Sequence, residues 1–508
     1  MAIEPSDAAP EAGPAHAGDL AAPTPGGWFD TESTSVVPFD VAVIGAGPAG
    51  LAAAGAAVAA GVRVALVDAA PRPGGQYWRH RPGDDGRAHH AWPEFVRLRD
   101  AVEAAVAAGT LVRLARHAVW HVERGSEAFT IHAVVDGAPH EVRARTLVVA
   151  TGAFDRQVPF PGWTLPGVYT AGAAQALLKG NGVLVGRRVA VGGTGPFLLP
   201  VAAGLAAAGA TVVGVFEAGR PAAFARHPLT TLRNPAKLRE GAGYLRVLRR
   251  HGVPYRTRTA IVAATGEREV TGVRVASLDA GWRPVDGTER TLEVDAVAVG
   301  YGFTPQTEIP VQLGCEMALD GDGSLVARVD DAQASSVPGV YVAGEACGVG
   351  GSALAVAEGE IAGSHAAASA SGRPPDAATL RSPRSRRASG RAFARALQQA
   401  FPVPSGWQGW LTPETVVCRC EEVSAGRIDE VVAELGAADP RSVKLLARPG
   451  MGLCQGRVCG YAVACLVASR AGRTVTAGDL AGTAARPIAM PVPLSVLAAS
   501  PTVPPDEA

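Results

Sequence analysis

The stretch FDVAVIGAGPAGLAAAGAAVAAGVRVALVDA, residues 39–69, decides the fold of the first part of the chain. It contains an apolar strand, a glycine-rich turn, an alanine-rich helix and a second apolar strand that ends at Asp68. Gly45 makes the tight turn, Gly47 lets a phosphate approach the backbone, and Gly50 lets the helix pack closely on the strand. The stretch therefore predicts a βαβ unit that binds a dinucleotide at the helix N-terminus, with Asp68 accepting hydrogen bonds from a ribose.

A second stretch of the same type, RRVAVGGTGPFLLPVAAGLAAAGATVVGVFEAG, covers residues 187–219. It keeps Gly193 and Gly195 in the turn and an acid, Glu217, at the end of its second strand. Leu198 stands where the third glycine is expected, and it should hold the helix away from the strand. The unit is therefore either a binding site for NAD or another adenine nucleotide, or a purely structural element. If it binds a dinucleotide, Glu217 favours a free ribose 2′-hydroxyl and hence NAD over NADP.

Composition and charge exclude several classes of function. The chain has 47 basic and 47 acidic residues, which indicates neither nucleic acid nor an acidic membrane surface as a partner. Residues 41–62 and 197–216 are long and uncharged, but their glycine turns predict strand–turn–helix–strand units rather than membrane spans. Residues 1–37 lack the features of a secretory signal and are expected to be disordered. Seven cysteines, mostly in one cluster, favour a reducing compartment, and we expect a cytoplasmic protein.

Four further segments fit a chain with two dinucleotide-binding domains. TLVVATGAFDR (146–156) and VDAVAVGYGFTPQT (294–307) are buried strands that end in glycine turns, and GGQYWRH (74–80) follows the first βαβ unit. VYVAGEACGVGG (340–351) brings a strand to an acid just before a helix. The order and spacing of these segments resemble the glutathione-reductase class of flavoproteins, which have a Rossmann-like α/β fold.

This resemblance implies bound FAD and a location for each binding residue. Glu345 takes the place of the acid, usually aspartate, that contacts the ribityl and pyrophosphate portion, and Gln76 lies near the isoalloxazine. The helix from about Ser352 points its positive end at the flavin. The residues assigned to the FAD site are Gly45, Gly47, Pro48, Ala49, Gly50, Asp68, Gly75, Gln76, Thr151, Gly152, Gly344 and Glu345, and those assigned to the second nucleotide site are Gly193, Gly195 and Glu217.

The chain lacks the close cysteine pair that a disulfide reductase carries beside its flavin. Cys315 and Cys347 are far apart in sequence, and we expect both to be small buried residues rather than redox thiols. His89 and His90 lie in a polar stretch and are expected to be surface loop residues without a role. The sequence assigns no catalytic residue.

Four cysteines near the carboxyl end predict a metal centre. They lie in two segments, VVCRCEEV and GMGLCQGRVCG, and neither has the Cys-x-x-Cys spacing common in zinc sites. The surrounding glycines let backbone N–H groups approach sulfur, and interleaved arginines offset the negative charge of four thiolates. We favour a [2Fe–2S] cluster, with zinc or no metal as the alternatives. The expected ligands are Cys418, Cys420, Cys454 and Cys459.

The cysteine segments resemble the [2Fe–2S] module of bacterioferritin-associated ferredoxin. Together with GGQYWRH, PGVYTAGAAQALL (166–178) and GTGPFLLPVA (193–202), they make the chain similar to the FAD-binding alpha subunits of heteromeric amine dehydrogenases. That family includes opine oxidase, hydroxyproline or proline dehydrogenase and hydrogen cyanide synthase. The expected domains are an FAD-binding domain (38–165 and 301–370), a second nucleotide-binding domain (166–300), a surface linker (371–410) ending in a short amphipathic helix, a small α-helical [2Fe–2S] domain (411–480) and a proline-rich tail (481–508).

The resemblance implies a protein that relays electrons, because a flavin accepts two electrons together and an iron–sulfur cluster carries one at a time. In those complexes a separate FAD-containing beta subunit of the D-amino-acid-oxidase type oxidises the amine. We find no motif here for a carboxylate clamp with a dry pocket, so we expect such a partner. An optional third component is a small ferredoxin-like subunit. Two alternatives stay open: a self-sufficient NADH-dependent reductase, and a non-catalytic redox sensor or iron-handling adaptor.

Overall fold

The computed structural model describes residues 37–499, apart from 88, 229, 231–233 and 483–486. Residues 1–36, which are expected to be disordered, lie outside the described residues, and so does the end of the proline-rich tail. The described residues from Pro38 onward belong to one compact unit.

Among the described residues, the first two thirds of the chain contain both strands and helices, and helices dominate the last third. The strands are β1 (Phe39–Ile44), β2 (Val64–Asp68), β3 (Leu111–Ala115), β4 (Ala118–Arg124), β5 (Phe129–Val135), β6 (Ala138–Val149), β7 (Ala153–Asp155), β8 (Val168–Thr170), β9 (Arg188–Gly193), β10 (Thr211–Glu217), β11 (Tyr255–Thr257), β12 (Thr259–Thr265), β13 (Gly272–Ser277), β14 (Arg290–Glu293), β15 (Ala296–Gly300), β16 (Phe303–Pro305), β17 (Met317–Leu319), β18 (Leu325–Ala327), β19 (Val340–Val342), β20 (Val416–Cys418) and β21 (Val423–Ser424). The α-helices are α1 (Pro48–Ala59), α2 (Trp92–Ala107), α3 (Ala171–Asn181), α4 (Leu198–Ala207), α5 (Pro235–Arg250), α6 (Glu308–Gln312), α7 (Ser352–Ser371), α8 (Ala377–Ala400), α9 (Ala425–Leu435), α10 (Pro440–Ala447), α11 (Gly460–Arg470), α12 (Ala477–Ala481) and α13 (Leu494–Ala499), and the 3₁₀ helices are Pro221–Arg226, Gly344–Cys347 and Ser405–Trp410.

The first domain is built on a seven-stranded sheet in the order β3–β2–β1–β6–β5–β4, with β19 also paired to β6. Strands β1, β2, β3, β6 and β19 are parallel, whereas β4, β5 and β6 form an antiparallel meander. Ile44 and Val342 both pair with Val149, so the carboxyl ends of β1, β6 and β19 lie side by side. The turns that follow these three strands therefore meet at one edge of the sheet.

The second domain has a five-stranded parallel sheet in the order β11–β10–β9–β15–β8. An antiparallel sheet of β12, β13 and β14 packs beside it, and the two-stranded pair β7–β16 connects the two domains. Both predicted strand–turn–helix–strand units are confirmed, as β1–α1–β2 and β9–α4–β10. No helix among the described residues is long and apolar enough to cross a membrane.

The expectation of a surface linker over 371–410 is wrong for most of its length. Residues Ala377–Ala400 form the 24-residue helix α8, which includes the short amphipathic helix predicted at its end. Asp376 caps the helix by accepting from the Ala378 N–H, and Leu380 and Ala394 are among its buried residues. The composition of this segment is polar and rich in arginine because most of its residues lie on the exposed face of α8. The few apolar residues on the buried face of the helix contribute little to the composition, so the segment was predicted to be a linker.

The cysteine module packs on the second domain and shares a hydrophobic core with it. The indole rings of Trp282 and Trp410 are stacked 6.0 Å apart, and Trp410 Nε1 donates to the carbonyl of Trp282 at 3.0 Å. Trp163 Nε1 donates to the carbonyl of Val416 at 2.6 Å. Within the module, helix α9 begins after its N-cap residue Ser424 and ends at Gly436. The module is therefore held by packing and indole hydrogen bonds, not by its chain connection alone.

Candidate functional site

The first glycine turn has the geometry of a phosphate-binding loop. Gly45 has φ +105°, and a Cβ there would lie 2.3 Å from the carbonyl oxygen of Ala150. A Cβ on Gly50 would lie 1.7 Å from the carbonyl oxygen of Gly45. Packing therefore requires both glycines. At Gly47 a Cβ would meet only the Cα of Gly75, at 3.9 Å, so its missing side chain leaves open space over the backbone, as a bound pyrophosphate needs.

Asp68 braces this turn from the end of β2. Its Oδ2 accepts from the N–H of Ala46, inside the turn, and its Oδ1 accepts from the N–H of Ala70 at 2.5 Å. Burial raises the pKa of this carboxyl group. The side chain is only partly buried, so its remaining lone pairs can accept from a ribose.

Glu345 lies on the same sheet edge, beyond β19. Its Oε1 accepts from the N–H of Gly351 at 2.9 Å and its Oε2 from the N–H of Gly350 at 3.2 Å. Burial raises the pKa of Glu345 to about 7, and the nearby charge of Glu358 acts in the same direction. The carboxylate thus holds the loop from which α7 begins at Ser352.

Helices α1 and α7 pack backbone against backbone behind these turns. A Cβ on Gly359 would lie 2.1 Å from the carbonyl oxygen of Ala49, and a Cβ on Gly363 would lie 2.1 Å from that of Ala53. Both helices begin at the same sheet edge, at Pro48 and Ser352. Two positive helix ends therefore lie beside the open space at the turn, where they can stabilise an anionic pyrophosphate.

Some of the other residues assigned to the FAD site are held by hydrogen bonds of the backbone, and one is exposed. Thr151 donates from Oγ1 to the carbonyl of Gln306 at 2.8 Å, and the carbonyl of Gly152 accepts from the Gln306 N–H at 2.9 Å. Gly75, with φ +59°, lies directly on the glycine turn. Gln76 is exposed, and its Oε1 accepts from Arg79 Nη2 at 2.7 Å. The predicted contact between Gln76 and the isoalloxazine stays a prediction.

The second glycine turn is closed by its own acid. Glu217 is 0% exposed, and its Oε1 accepts from Thr194 Oγ1 at 2.8 Å and from the N–H of Gly219 at 2.7 Å. Its Oε2 accepts from the N–H of Gly195 at 2.9 Å, and burial raises its pKa. Because the carboxylate is buried and turned into the loop, its position gives no support to the predicted preference for NAD over NADP.

Packing explains the residue type at some positions of the second turn but not at all of them. Gly193 has φ +133°, and a Cβ there would lie 1.8 Å from the carbonyl oxygen of Gly300. Gly195 has φ +103°, and a Cβ there would meet no atom within 4 Å. Leu198, in the position of the third glycine, is 1% exposed and packs in the core under α4. Space for a ligand therefore exists at Gly195. Leu198, however, packs in the hydrophobic core, so the presence of this residue is explained by packing without a ligand.

The four predicted ligand thiols lie together in two pairs. Cys418, at the end of β20, and Cys459, just before α11, are 1% and 2% exposed, whereas Cys454 is partly buried and Cys420 is exposed. The thiol of Cys459 hydrogen-bonds to Cys418 and lowers the pKa of Cys418 to about 5. The thiols of Cys420 and Cys454 form the second hydrogen-bonded pair. The Gly450 N–H donates to Cys418 Sγ at 3.5 Å.

This arrangement fits a binuclear cluster. Gly452 has no room for a side chain, because a Cβ would lie 2.3 Å from the Cβ of Cys420. The two thiol pairs suit the Cys₄ ligation of a [2Fe–2S] cluster, and the glycines expose N–H groups to its sulfurs.

Sequence reasoning missed a buried histidine. The side chain of His89 is 1% exposed, its Nε2 lies 3.3 Å from Asp84 Oδ2, and its ring stacks on Trp92 at 4.8 Å. Burial lowers the pKa of His89. The expectation of a surface residue is therefore wrong for His89, while His90 is exposed as expected.

A buried ion pair behind the flavin-side loop was also missed. Arg391 of α8 lies 2.6 Å from Glu358, which is 0% exposed, and its Nη2 donates to Cys347 Sγ at 3.2 Å. Cys347 and Cys315 are both buried, as predicted. The sequence signal for the pair was weak, because Arg391 lies in the segment expected to be a linker.

Comparisons with known proteins agree with this geometry. Residues 39–371 match the pyridine nucleotide-disulphide oxidoreductase family, and residues 416–469 match the BFD-like [2Fe–2S] binding domain. The chain is 36% identical to the A subunit of opine oxidase from Rhizobium meliloti, over 91% of this chain and 98% of that protein. It is 35% identical to hydrogen cyanide synthase subunit HcnB of Pseudomonas aeruginosa, over 82% of this chain and 90% of that protein.

One solved structure supports the fold over nearly the whole chain. The L-proline dehydrogenase of P. horikoshii superposes with a TM-score of 0.66 at 23% identity, covering 91% of this chain and 79% of that chain. The matches, the glycine turn with its open cradle and the paired thiols lead to one assignment. The chain belongs to the pyridine nucleotide-disulphide oxidoreductase family, together with the A subunit of opine oxidase and hydrogen cyanide synthase subunit HcnB, and is an FAD-dependent oxidoreductase with a [2Fe–2S] centre.

Proposed function

We propose that this chain is the electron-relaying subunit of a heteromeric amino-acid or opine dehydrogenase, of the hydroxyproline or proline dehydrogenase or hydrogen cyanide synthase type. One observation carries the proposal: the four-thiol module shares a hydrophobic core with the dinucleotide-binding part of the chain. FAD supplies two-electron chemistry and a [2Fe–2S] cluster supplies one-electron transfer, so a compact unit that holds both can convert between them.

The residues of the first turn would hold the FAD. The bare backbone at Gly47 and Gly75 accommodates the pyrophosphate, and the N-termini of α1 and α7 balance its charge. Asp68 would accept from the adenosine ribose, and Glu345 keeps the loop before α7 in place. Cys418, Cys420, Cys454 and Cys459 would hold the cluster.

The amine would be oxidised by another subunit. We propose an FAD-containing beta subunit of the D-amino-acid-oxidase type as the partner, in the cytoplasm, and an optional third component that is a small ferredoxin-like subunit. The names of the opine oxidase and hydrogen cyanide synthase relatives support this proposal, because each describes one subunit of a larger enzyme. The domain boundaries expected from the sequence, apart from the linker, belong to the same proposal.

Reconstitution tests the proposal directly. The chain is expressed with and without a candidate beta subunit of the D-amino-acid-oxidase type, and amine-dependent reduction of an artificial dye is measured. We expect turnover only when both are present, and a loss of dye reduction in C454S at unchanged FAD content. Robust amine turnover by the isolated chain would refute the proposal and place the active site in this polypeptide.

A further inference from the structure

The loop that carries two of the cluster ligands is attached to the flavin side of the molecule by a buried ion pair. Arg457 lies between Cys454 and Cys459, and its Nε is 2.7 Å from Oε1 of Glu308. The two side chains are only 13% and 22% exposed. Both side chains lose much of their hydration in this pair, so its net contribution to stability is small, while its contacts restrict the geometry of both side chains.

Every nitrogen of the Arg457 guanidinium has a partner. Nη1 donates to the carbonyl of Cys454 at 3.0 Å, and Nη2 donates to the carbonyls of Ile488 and Ala489 at 2.7 and 2.6 Å. The planar donor group is therefore fixed in one orientation. Because one of its acceptors is the backbone of a ligand residue, a shift of Arg457 would move the ligand loop.

Glu308 in turn is tied to the flavin-side turn. It begins α6, two residues after Gln306, whose N–H and carbonyl are both hydrogen-bonded to the turn at Gly152 and Thr151. The path from this turn to Cys454 thus runs through Gln306, Glu308 and Arg457. We call these three residues the bridge.

A second contact runs parallel to the bridge. Arg156 follows β7, is 2% exposed, and lies within 2.8 Å of the Asp322 carboxylate. Its guanidinium carbon lies 4.5 Å from the centre of the Tyr461 ring, and Tyr461 follows Cys459 by two residues. Both segments next to cluster ligands are therefore attached to the region of the same pair of strands, β7 and β16.

We propose that Glu308 and Arg457 are positioning residues that fix the [2Fe–2S] cluster relative to the flavin, so that the rate of electron transfer within the chain depends on this pair. The inference rests on the proposed relay function and deepens it by naming the contact that sets its geometry. Electron transfer between two centres weakens steeply with their separation, so a ligand loop free to move by a fraction of an ångström would transfer electrons more slowly.

The test uses the full chain loaded with FAD and cluster. The flavin is photoreduced by a light pulse with EDTA as the sacrificial electron donor, and the rate at which the cluster becomes reduced is followed by absorbance, with the cluster checked by electron paramagnetic resonance. We expect E308Q and R457Q to slow this step on the order of tenfold, at unchanged FAD, iron and sulfide. R457K keeps the charge opposite Glu308 and should retain more of the rate than R457Q.

The matched control is R470Q. Arg470 lies in the same module and pairs with Asp429 at 2.7 Å, but its side-chain partners, Asp429 and Gln408, are not on the flavin side. If E308Q transfers electrons as fast as R470Q and wild type, the proposal is overturned. Glu308 lies outside the module, so E308Q decides the matter even if R457Q loses its cluster. Absence of transfer in the wild type would instead refute the relay itself.

Discussion

Gly359→Ala tests the close packing of α1 on α7, on which the FAD site depends. The added Cβ would lie 2.1 Å from the carbonyl oxygen of Ala49, a backbone atom in the first turn of α1. A rotamer change cannot relieve this clash, so one helix must shift. Overpacking of this kind costs about 1–3 kcal/mol, and the shift also displaces the helix N-terminus that faces the pyrophosphate.

The assay combines thermal unfolding with flavin retention after gel filtration. We expect G359A to unfold several degrees lower and to lose FAD. The control is G55A, in helix α1, where a Cβ meets no atom within 4 Å. Because alanine favours a helix over glycine, G55A should be stabilised by up to about 1 kcal/mol. A G359A protein with wild-type melting temperature and full flavin would refute the packing argument.

Four other predictions concern the cofactor sites. Gly47→Val fills the open space at the first turn and should release FAD with little loss of folded protein, measured by flavin absorbance and circular dichroism. Anaerobically purified protein should contain about two iron and two acid-labile sulfide per chain, and stoichiometric zinc without sulfide would contradict the assignment. Burial raises the pKa of Glu345 to about 7, so the folded state favours the protonated carboxyl group. Flavin-free protein should therefore lose stability as the pH rises from the ordinary glutamate range through 7. E345Q should remove this dependence in melting curves. NADH alone should not bleach the flavin of the isolated chain, and rapid bleaching in a stopped-flow experiment would favour the NADH-dependent reductase.

Local sequence patterns predicted the parts of the fold that local sequence determines. The turn at Gly45 and Gly50 was predictable because a side chain on Gly45 would meet the backbone of Ala150 and one on Gly50 would meet the backbone of Gly45. The helix over 424–436 was predictable because Ser424 accepts from the Arg427 N–H and Gly436, with φ +68°, ends the helix. Spacing and the surrounding glycines predicted the four cysteines as one set of ligands, but the pairing of Cys418 with Cys459 and of Cys420 with Cys454 depends on the fold.

The misses share a physical cause, since each depends on contacts that the local pattern does not show. His89 looked exposed because its neighbours are polar, yet Asp84 and Trp92 bury its side chain. Arg391 looked like part of a linker because its partner, Glu358, lies on another helix. The pairing of Arg457 with Glu308 has no sequence signal, because the two residues lie 457 − 308 = 149 positions apart in the chain.

The second glycine turn decides between the relay and the NADH-dependent reductase, and its geometry favours the relay. In a dinucleotide site of this fold the adenosine ribose lies beyond the end of the second strand, here β10, and the strand's acid accepts from it. Glu217 is instead buried, with Thr194, Gly195 and Gly219 on its oxygens. Phe401, just after α8, lies beside the same loop, because a Cβ on Gly219 would be 3.4 Å from its ring. Because Glu217 is fully buried, the ribose of a nucleotide at this turn would lack its usual acceptor, whereas the first turn keeps a partly exposed Asp68. Electrons would then enter this chain from a protein partner rather than from NADH.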